Sequence, residues 1–217
     1  MSAERIRDIA LTTEDKVAIA ATYYEAISEK GIMLVHMYGM TRQSWRDVAV
    51  FFQEKGYQVL AIDLRGHGQS LEKNKQRISY INFHDQDFLD MLKDVKAAKE
   101  FLLKQGVEVL GVIGASIGAN LALIAAAHDN DIKKVIALSP GLNYKGLKPQ
   151  NEVKKITAPA MLVASEDDQY SAMSVRTLEA VMHNEKEVKI FPKADHGTRM
   201  FNNEPALKNV ILQFLEA

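Results

Sequence analysis

The sequence predicts an α/β fold: a mostly parallel central sheet with helices on both faces and an antiparallel hairpin at its N-terminal side. Three observations predict it. From residue 31 onward, short aliphatic runs alternate with longer stretches patterned at helical spacing, the order that builds parallel strands joined by crossover helices. The aliphatic runs, such as Gly31-Ile32-Met33-Leu34-Val35-His36-Met37, are apolar nearly throughout rather than at every second position, as in strands covered on both faces. Before residue 31, two strand-like runs flank Thr13-Glu14-Asp15, and so short a turn joins only antiparallel neighbours.

Residues 6–11 and 16–24 are the two strands of that hairpin. Residues 31–37 form the first buried strand. Thr41 can cap a helix over 42–55, where Trp45, Val48, Ala49 and Phe52 share one face, and Gly56 ends it. Residues 57–63 are the next strand, followed by a polar loop rich in glycine and charge over 64–82. A long amphipathic helix covers 85–105, with Phe88, Leu92, Val95 and Leu102 on its stripe and Lys99 alone interrupting it. Strand 107–114 then runs into helix 117–128. Strands 132–139 and 159–165 flank the connection 140–157. Helix 171–183, strand 186–191 and helix 203–216 complete the chain.

A chain of 217 residues suits one domain, and no repeat, low-complexity tract or linker divides it. There is no cysteine, which excludes disulfides, thiolate nucleophiles and Cys-ligated zinc and fits a reducing compartment. The formal charge of −1 gives no reason to expect nucleic acid or an anionic membrane as partner. The charged N-terminus lacks a signal-peptide core, and the apolar stretches 107–115 and 121–127 are too short to cross a bilayer. A soluble, cytoplasmic protein is the expectation.

The chemistry-bearing feature is Gly114-Ala115-Ser116-Ile117-Gly118 between strand 107–114 and helix 117–128. A nucleophile at such a junction sits on a sharp turn that leaves little room for Cβ atoms two residues away. Gly114 and Gly118 stand at those positions. The helix start adds partial positive charge and free N–H groups, and the N–H of Ile117 is the expected first oxyanion donor.

A serine hydroxyl needs a histidine to take its proton and an acid to orient that histidine. On a strand–turn–helix elbow the acid and the histidine follow in that order, on loops after later strands. His36, His67 and His84 precede Ser116, and His128 and His183 fall at helix ends, where a histidine commonly complements the dipole. His196, in Ala194-Asp195-His196-Gly197 after strand 186–191, alone meets the order. Glu166, Asp167 and Asp168 follow strand 159–165. Asp168 is the preferred acid because it is far enough from the strand end to bend back. Asp167 is the alternative. The second oxyanion donor is expected in the loop after strand 31–37, from the N–H of Tyr38 or else Met37. His36 is read as a structural residue of that loop.

With these residues in place the chain resembles the α/β-hydrolase superfamily over nearly its whole length. The motifs are His36-Met37-Tyr38-Gly39, Asp63-Leu64-Arg65-Gly66-His67-Gly68-Gln69-Ser70, the Ser116 turn, and Ser165-Glu166-Asp167-Asp168 with Asp195-His196-Gly197. Among members it is similar to compact serine carboxylesterases and the dienelactone-hydrolase-like group. The resemblance implies an α/β-hydrolase fold, a structural role for the 63–70 segment, and Asp168 at the acid position. Three departures stand out: Met37 where His-Gly is common, Ser165 where glycine is common, and no proline in the acid segment. Dienelactone hydrolases use a cysteine nucleophile, whereas this chain offers Ser116.

The resemblance and the residues together imply a carboxylesterase cleaving small, short-acyl esters through Ser116, His196 and Asp168, with no cofactor and no metal. The connection 140–157 is too short for a full lid, so an open site is expected. Met37, Met40, Tyr170, Met173 and Met200 are expected to ring it and form an adaptable apolar pocket. Thioester, amide or peptide cleavage by the same residues, a non-catalytic binding module, and a metal site at His84, Asp85 and Asp87 are the competing readings.

Overall fold

A computed structural model describes residues 6–217. Its strands are β1 (Ile6–Thr12), β2 (Val17–Tyr24), β3 (Lys30–Val35), β4 (Gln58–Ile62), β5 (Glu72–Lys73), β6 (Gln76–Arg77), β7 (Val109–Ala115), β8 (Ile132–Leu138), β9 (Ala160–Ser165) and β10 (Lys186–Phe191). They form one sheet in the order β10-β9-β8-β7-β3-β4-β2-β5-β6, with β1 paired to β2. The strands from β3 to β10 pair in parallel, apart from the β5–β6 hairpin. β2 runs antiparallel to β1, β4 and β5. The expected α/β architecture with its N-terminal hairpin is the one observed.

Helices cover both faces because the strands bury both faces. In β3, Met33 and Val35 join one core and Ile32 and Leu34 the other, the two-residue alternation of a pleated strand. The first core receives α3 (Met91–Lys104), α4 (Ile117–His128) and α5 (Gln169–Val181), through Val95, Leu121 and Val175 among others. The second receives α1 (Arg46–Glu54) and α7 (Leu207–Glu216), through Phe52 and Ile211. α4 is apolar on nearly every side, Asn120 and the terminal His128 excepted, and each residue from Ile117 to Ile124 is buried. β4 lies on one side of β3 and β7 on the other. The chain therefore reverses its winding at β3, and loops at the carboxyl ends of β3 and β7 diverge to leave a crevice.

Several helices are broken where one was expected. Arg42–Trp45 is a 3-10 turn before α1. Asp63 draws it tight by accepting the Arg42 backbone N–H at 2.7 Å and its guanidinium. The expected helix 85–105 divides into α2 (Asp85–Leu89) and α3 at Asp90. Lys99, which interrupts the apolar stripe of α3, pairs with Asp129 at 2.6 Å and Asp131 at 2.8 Å. Pro205 separates α6 (Met200–Asn203) from α7, since proline cannot continue a helical ladder. Within the expected loop 64–82, β5 and β6 form a small hairpin. Its two turn residues, Asn74 and Lys75, have φ of 51° and 65°, the primed-turn geometry of tight hairpins.

The Asp63-to-Ser70 segment is held by buried charge. Arg65 donates to Asp94 on α3 through its backbone N–H and Nε, both at 2.9 Å, and to Asp15 of the β1–β2 turn at 2.8 Å. Ser70 Oγ donates to the Asp63 carbonyl at 2.7 Å and accepts from the Ala20 N–H at 2.9 Å. This loop thus fastens β2, β4 and α3 together. Among the described residues no helix is long and apolar enough to cross a membrane.

Candidate active site

Ser116 caps the transition from β7 to α4 with φ 54° and ψ −116°, a backbone region costing roughly 1–3 kcal/mol for a residue with a side chain. Its N–H donates to the Leu138 carbonyl at 2.8 Å, which pins the turn to β8. The flanking glycines are required by space. A Cβ at Gly114 would lie 2.0 Å from the Gly118 carbonyl oxygen, and one at Gly118 would lie 2.3 Å from that of Val35. The second contact also shows that the chain leaving β3 lies directly against the first turn of α4. Ile117 opens that helix, and an N–H in the first helical turn has no acceptor within the helix.

Two further loops converge on this turn. Asp168 precedes α5, and its carboxylate makes no capping bond to the helix. Instead Oδ2 lies 2.6 Å from His196 Nδ1. Asp167 is turned away: it accepts from the Ser165 hydroxyl and, at 3.4 Å, from the Asp195 N–H. The Ser165 hydroxyl holds the Asp167 carboxyl below its usual range. Glu166 pairs with Arg176 on the surface. The histidine loop is shaped by Asp195, with φ 72°, whose Oδ1 accepts the His196 N–H at 2.6 Å. The next N–H, of Gly197, donates to Ser139 Oγ at 2.9 Å.

Ser116 and His196 line one cleft of about 250 Å³, together with Ile117, Asn120, Tyr144 and Tyr170. No hydrogen bond joins Ser116 to His196 among the described residues. The Asp168 contact requires Nδ1 to carry a proton, so neutral His196 has an acceptor at Nε2. Tyr38 packs its ring on Tyr80, at 5.0 Å between centroids, and on Tyr144 at 6.0 Å.

The expected ring of methionines does not form. Met37 and Met200 are buried in the second core, against neighbours such as Ala115 and Ala194. Met40 and Met173 are exposed, and neither lines the cleft. Tyr170 does line it, and its hydroxyl accepts the Leu142 N–H at 3.2 Å. Flexible apolar side chains on loops fill whichever core lies beneath them, and spacing does not distinguish the two outcomes. The walls include two residues that sequence reasoning passed over. Tyr144 is placed by a tight Tyr144–Leu147 bridge, and Asn120 lies one turn along α4 from Ser116. Position i+4 from Ser116 was the available signal for Asn120.

His36, His67 and His84 have structural partners. His36 Nδ1 donates to the Met37 carbonyl at 2.7 Å, and Nε2 accepts the Leu64 N–H at 2.9 Å. It thereby ties the loop after β3 to that after β4. His67 stacks on Tyr80 at 4.0 Å. His84 and Asp87 form a capping box at the start of α2. Among the described residues no three histidine, aspartate or glutamate side chains gather as a metal site.

The family model of the dienelactone hydrolase family matches residues 17–209. A thermostable monoacylglycerol lipase of Bacillus sp. (strain H-257) is 28% identical over 128 residues, 59% of this chain and 47% of the lipase. A bifunctional esterase/perhydrolase of Acinetobacter calcoaceticus is 28% identical over 130 residues, 59% of this chain and 43% of that protein. The chain thus spans less than half the length of these relatives. Among solved structures, an esterase of Pyrococcus furiosus superposes with a TM-score of 0.82 at 22% identity, over 99% of this chain and 93% of the esterase. A dienelactone hydrolase of Anabaena variabilis superposes with a TM-score of 0.72 at 19% identity, over 97% and 94% of the two chains.

Proposed function

The chain belongs to the dienelactone hydrolase family, and from that premise we propose that it is a serine carboxylesterase acting on small, short-acyl esters. The observation that carries the reading is the 2.6 Å contact between Asp168 and His196 at the cleft that Ser116 also lines. Esterases and a lipase among its relatives favour ester bonds over thioesters or amides.

In this reading Ser116 Oγ attacks the ester carbonyl while His196 Nε2 takes its proton. Asp168 keeps Nδ1 protonated and stabilises the imidazolium. The tetrahedral oxyanion is met by the N–H groups of Ile117 and Tyr38, each such donor being worth roughly two to three powers of ten in rate. His196 then protonates the departing alcohol, and water releases the acyl group by the reverse sequence. Serine takes the place that cysteine holds in dienelactone hydrolases.

A cleft of about 250 Å³ supports small substrates. So does the connection from β8 to β9, which carries only the 3-10 turns Pro149–Asn151 and Val153–Lys155. We read the chain as one hydrolase domain without a full lid. Labelling with a fluorophosphonate probe tests the nucleophile: wild type should react and Ser116→Ala should not. Equal labelling of both removes Ser116 from the role.

A further inference from the structure

The cleft is lined by polar groups that the acyl-transfer chemistry does not use. Asn120 is nearly fully buried on α4 and lines the cleft one turn beyond Ser116. Its Oδ1 accepts the Gly141 N–H at 2.9 Å. That bond settles the amide orientation, since a backbone donor needs the oxygen. The two hydrogens of Nδ2 therefore face elsewhere, and Nδ2 has no partner among the described residues. It is not sealed in the protein either, unlike the enclosed and unpartnered Trp45 Nε1 and Tyr57 hydroxyl. The cleft is what reaches it.

Two serines repeat the pattern. Ser139, buried at the end of β8, accepts the Gly197 N–H through Oγ, and its own hydroxyl proton has no acceptor among the described residues. Ser171 is buried in the first turn of α5, lines the same cleft and makes no side-chain hydrogen bond among them. Buried polar groups are ordinarily satisfied. These three side chains line one cleft with donors that no group among the described residues takes up, and such donors can meet an acceptor on a bound substrate. Among the described residues no lysine or arginine lines the cleft, so a neutral oxygen suits the site better than a carboxylate.

We propose that Asn120, with Ser139 and Ser171, forms a subsite for a neutral hydrogen-bond-accepting oxygen near the scissile ester. The substrates are then oxygenated short esters, bearing a hydroxyl, ether or keto oxygen, rather than plain alkyl esters. This rests on the esterase reading above. Sites built to hydrogen-bond a substrate oxygen discriminate strongly against analogues lacking it, because the donors are then left unpaired.

The test compares isosteric pairs. On the acyl side these are p-nitrophenyl methoxyacetate and p-nitrophenyl butanoate. On the alcohol side they are 2-methoxyethyl acetate and butyl acetate. The ratio of kcat/KM within each pair is measured for wild type, Asn120→Leu and Asn120→Asp. Intrinsic ester reactivity cancels between variants. Asn120→Asp keeps an oxygen for the Gly141 N–H and loses the donors, so it serves if Asn120→Leu fails to fold. In at least one pair the preference for the oxygenated ester should fall about 10-fold or more in both variants. Unchanged ratios in both pairs overturn the subsite. If Ser116 still labels with fluorophosphonate in that case, the esterase reading survives its loss. A wild type that neither labels nor hydrolyses any of the four esters removes both.

Discussion

The Ala194 N–H donates to Ser165 Oγ at 2.6 Å, across the two loops that carry His196 and Asp168. The same hydroxyl donates to Asp167, whose carboxylate in turn accepts the Asp195 N–H. Ser165 is fully buried and its bond to the Ala194 N–H is shielded from water, while Asp167 lies at the surface; together they set the spacing of the loops. We expect Ser165→Gly to lower kcat about 10-fold with KM within about twofold, since the pair it positions acts in the transition state. Steady-state kinetics on one activated ester decides it. A raised KM with unchanged kcat would place Ser165 in substrate binding instead.

The two neighbouring aspartates separate cleanly by mutation. Asp168→Asn should reduce kcat on the order of 10³- to 10⁴-fold, the loss expected when a triad acid becomes an amide and the histidine adopts the wrong tautomer. Asp167→Asn, whose partners lie on the clamp, should cost less than about 10-fold. The reverse ranking would transfer the acid role to Asp167.

The elbow glycines should prove intolerant for reasons of packing. In Gly114→Ala the new methyl meets the Gly118 carbonyl, and in Gly118→Ala it meets that of Val35. Both obstacles are backbone, so neither yields by a change of rotamer. A loss of about 3 kcal/mol or more is expected for each variant, read from urea unfolding midpoints. Midpoints within error of wild type would mean the turn can relax.

His36 is enclosed between two loops, and burial, reinforced by neighbouring His67, lowers its pKa to about 4. Unfolded histidine titrates near about 6.5. The neutral ring therefore contributes fully to stability above about pH 6.5, and that contribution fades as the pH falls toward about 4. Asp94 acts with the opposite sign, because burial raises its carboxyl to about 6 against the pull of Arg65. Acid unfolding mixes the two, so residue-resolved ¹⁵N shifts are the measurement. At pH 5, His36 should remain neutral with its proton on Nδ1. Titration near pH 6.5 would show that the ring is solvated.

Much of this architecture is legible in the sequence, for physical reasons. Strands buried on both faces need continuous apolar runs, and the runs at β3, β4, β7 and β9 read plainly. The convergence of the Ser116, Asp168 and His196 loops is legible from chain order alone, because a parallel sheet brings all its carboxyl-end loops to one edge. Helix breaks are less legible. Asp63 tightens Arg42–Trp45 from a distance of twenty-one residues, and no local pattern carries that. The β5–β6 hairpin is built from Glu72, Lys73, Gln76 and Arg77, which lack any alternation of apolar and polar residues. The cleft walls are the least legible. Met37 and Met200 turn inward, while Asn120 reads as an ordinary polar residue on a helix until Gly141 is seen to claim its oxygen.

The helix that follows Ser116 has one more implication. α4 touches water only near its last turn, at Ala125, Ala127 and His128, so it has little outer face on which mutations could accumulate quietly. Nor can it reach its final position before the sheet and the helices around it have assembled. With Ser116 as the proposed nucleophile, we therefore expect its reactivity to appear late in folding and to be lost early in unfolding. Covalent labelling at Ser116 would count completed molecules, and its time course after dilution from denaturant would report the closing of the whole structure.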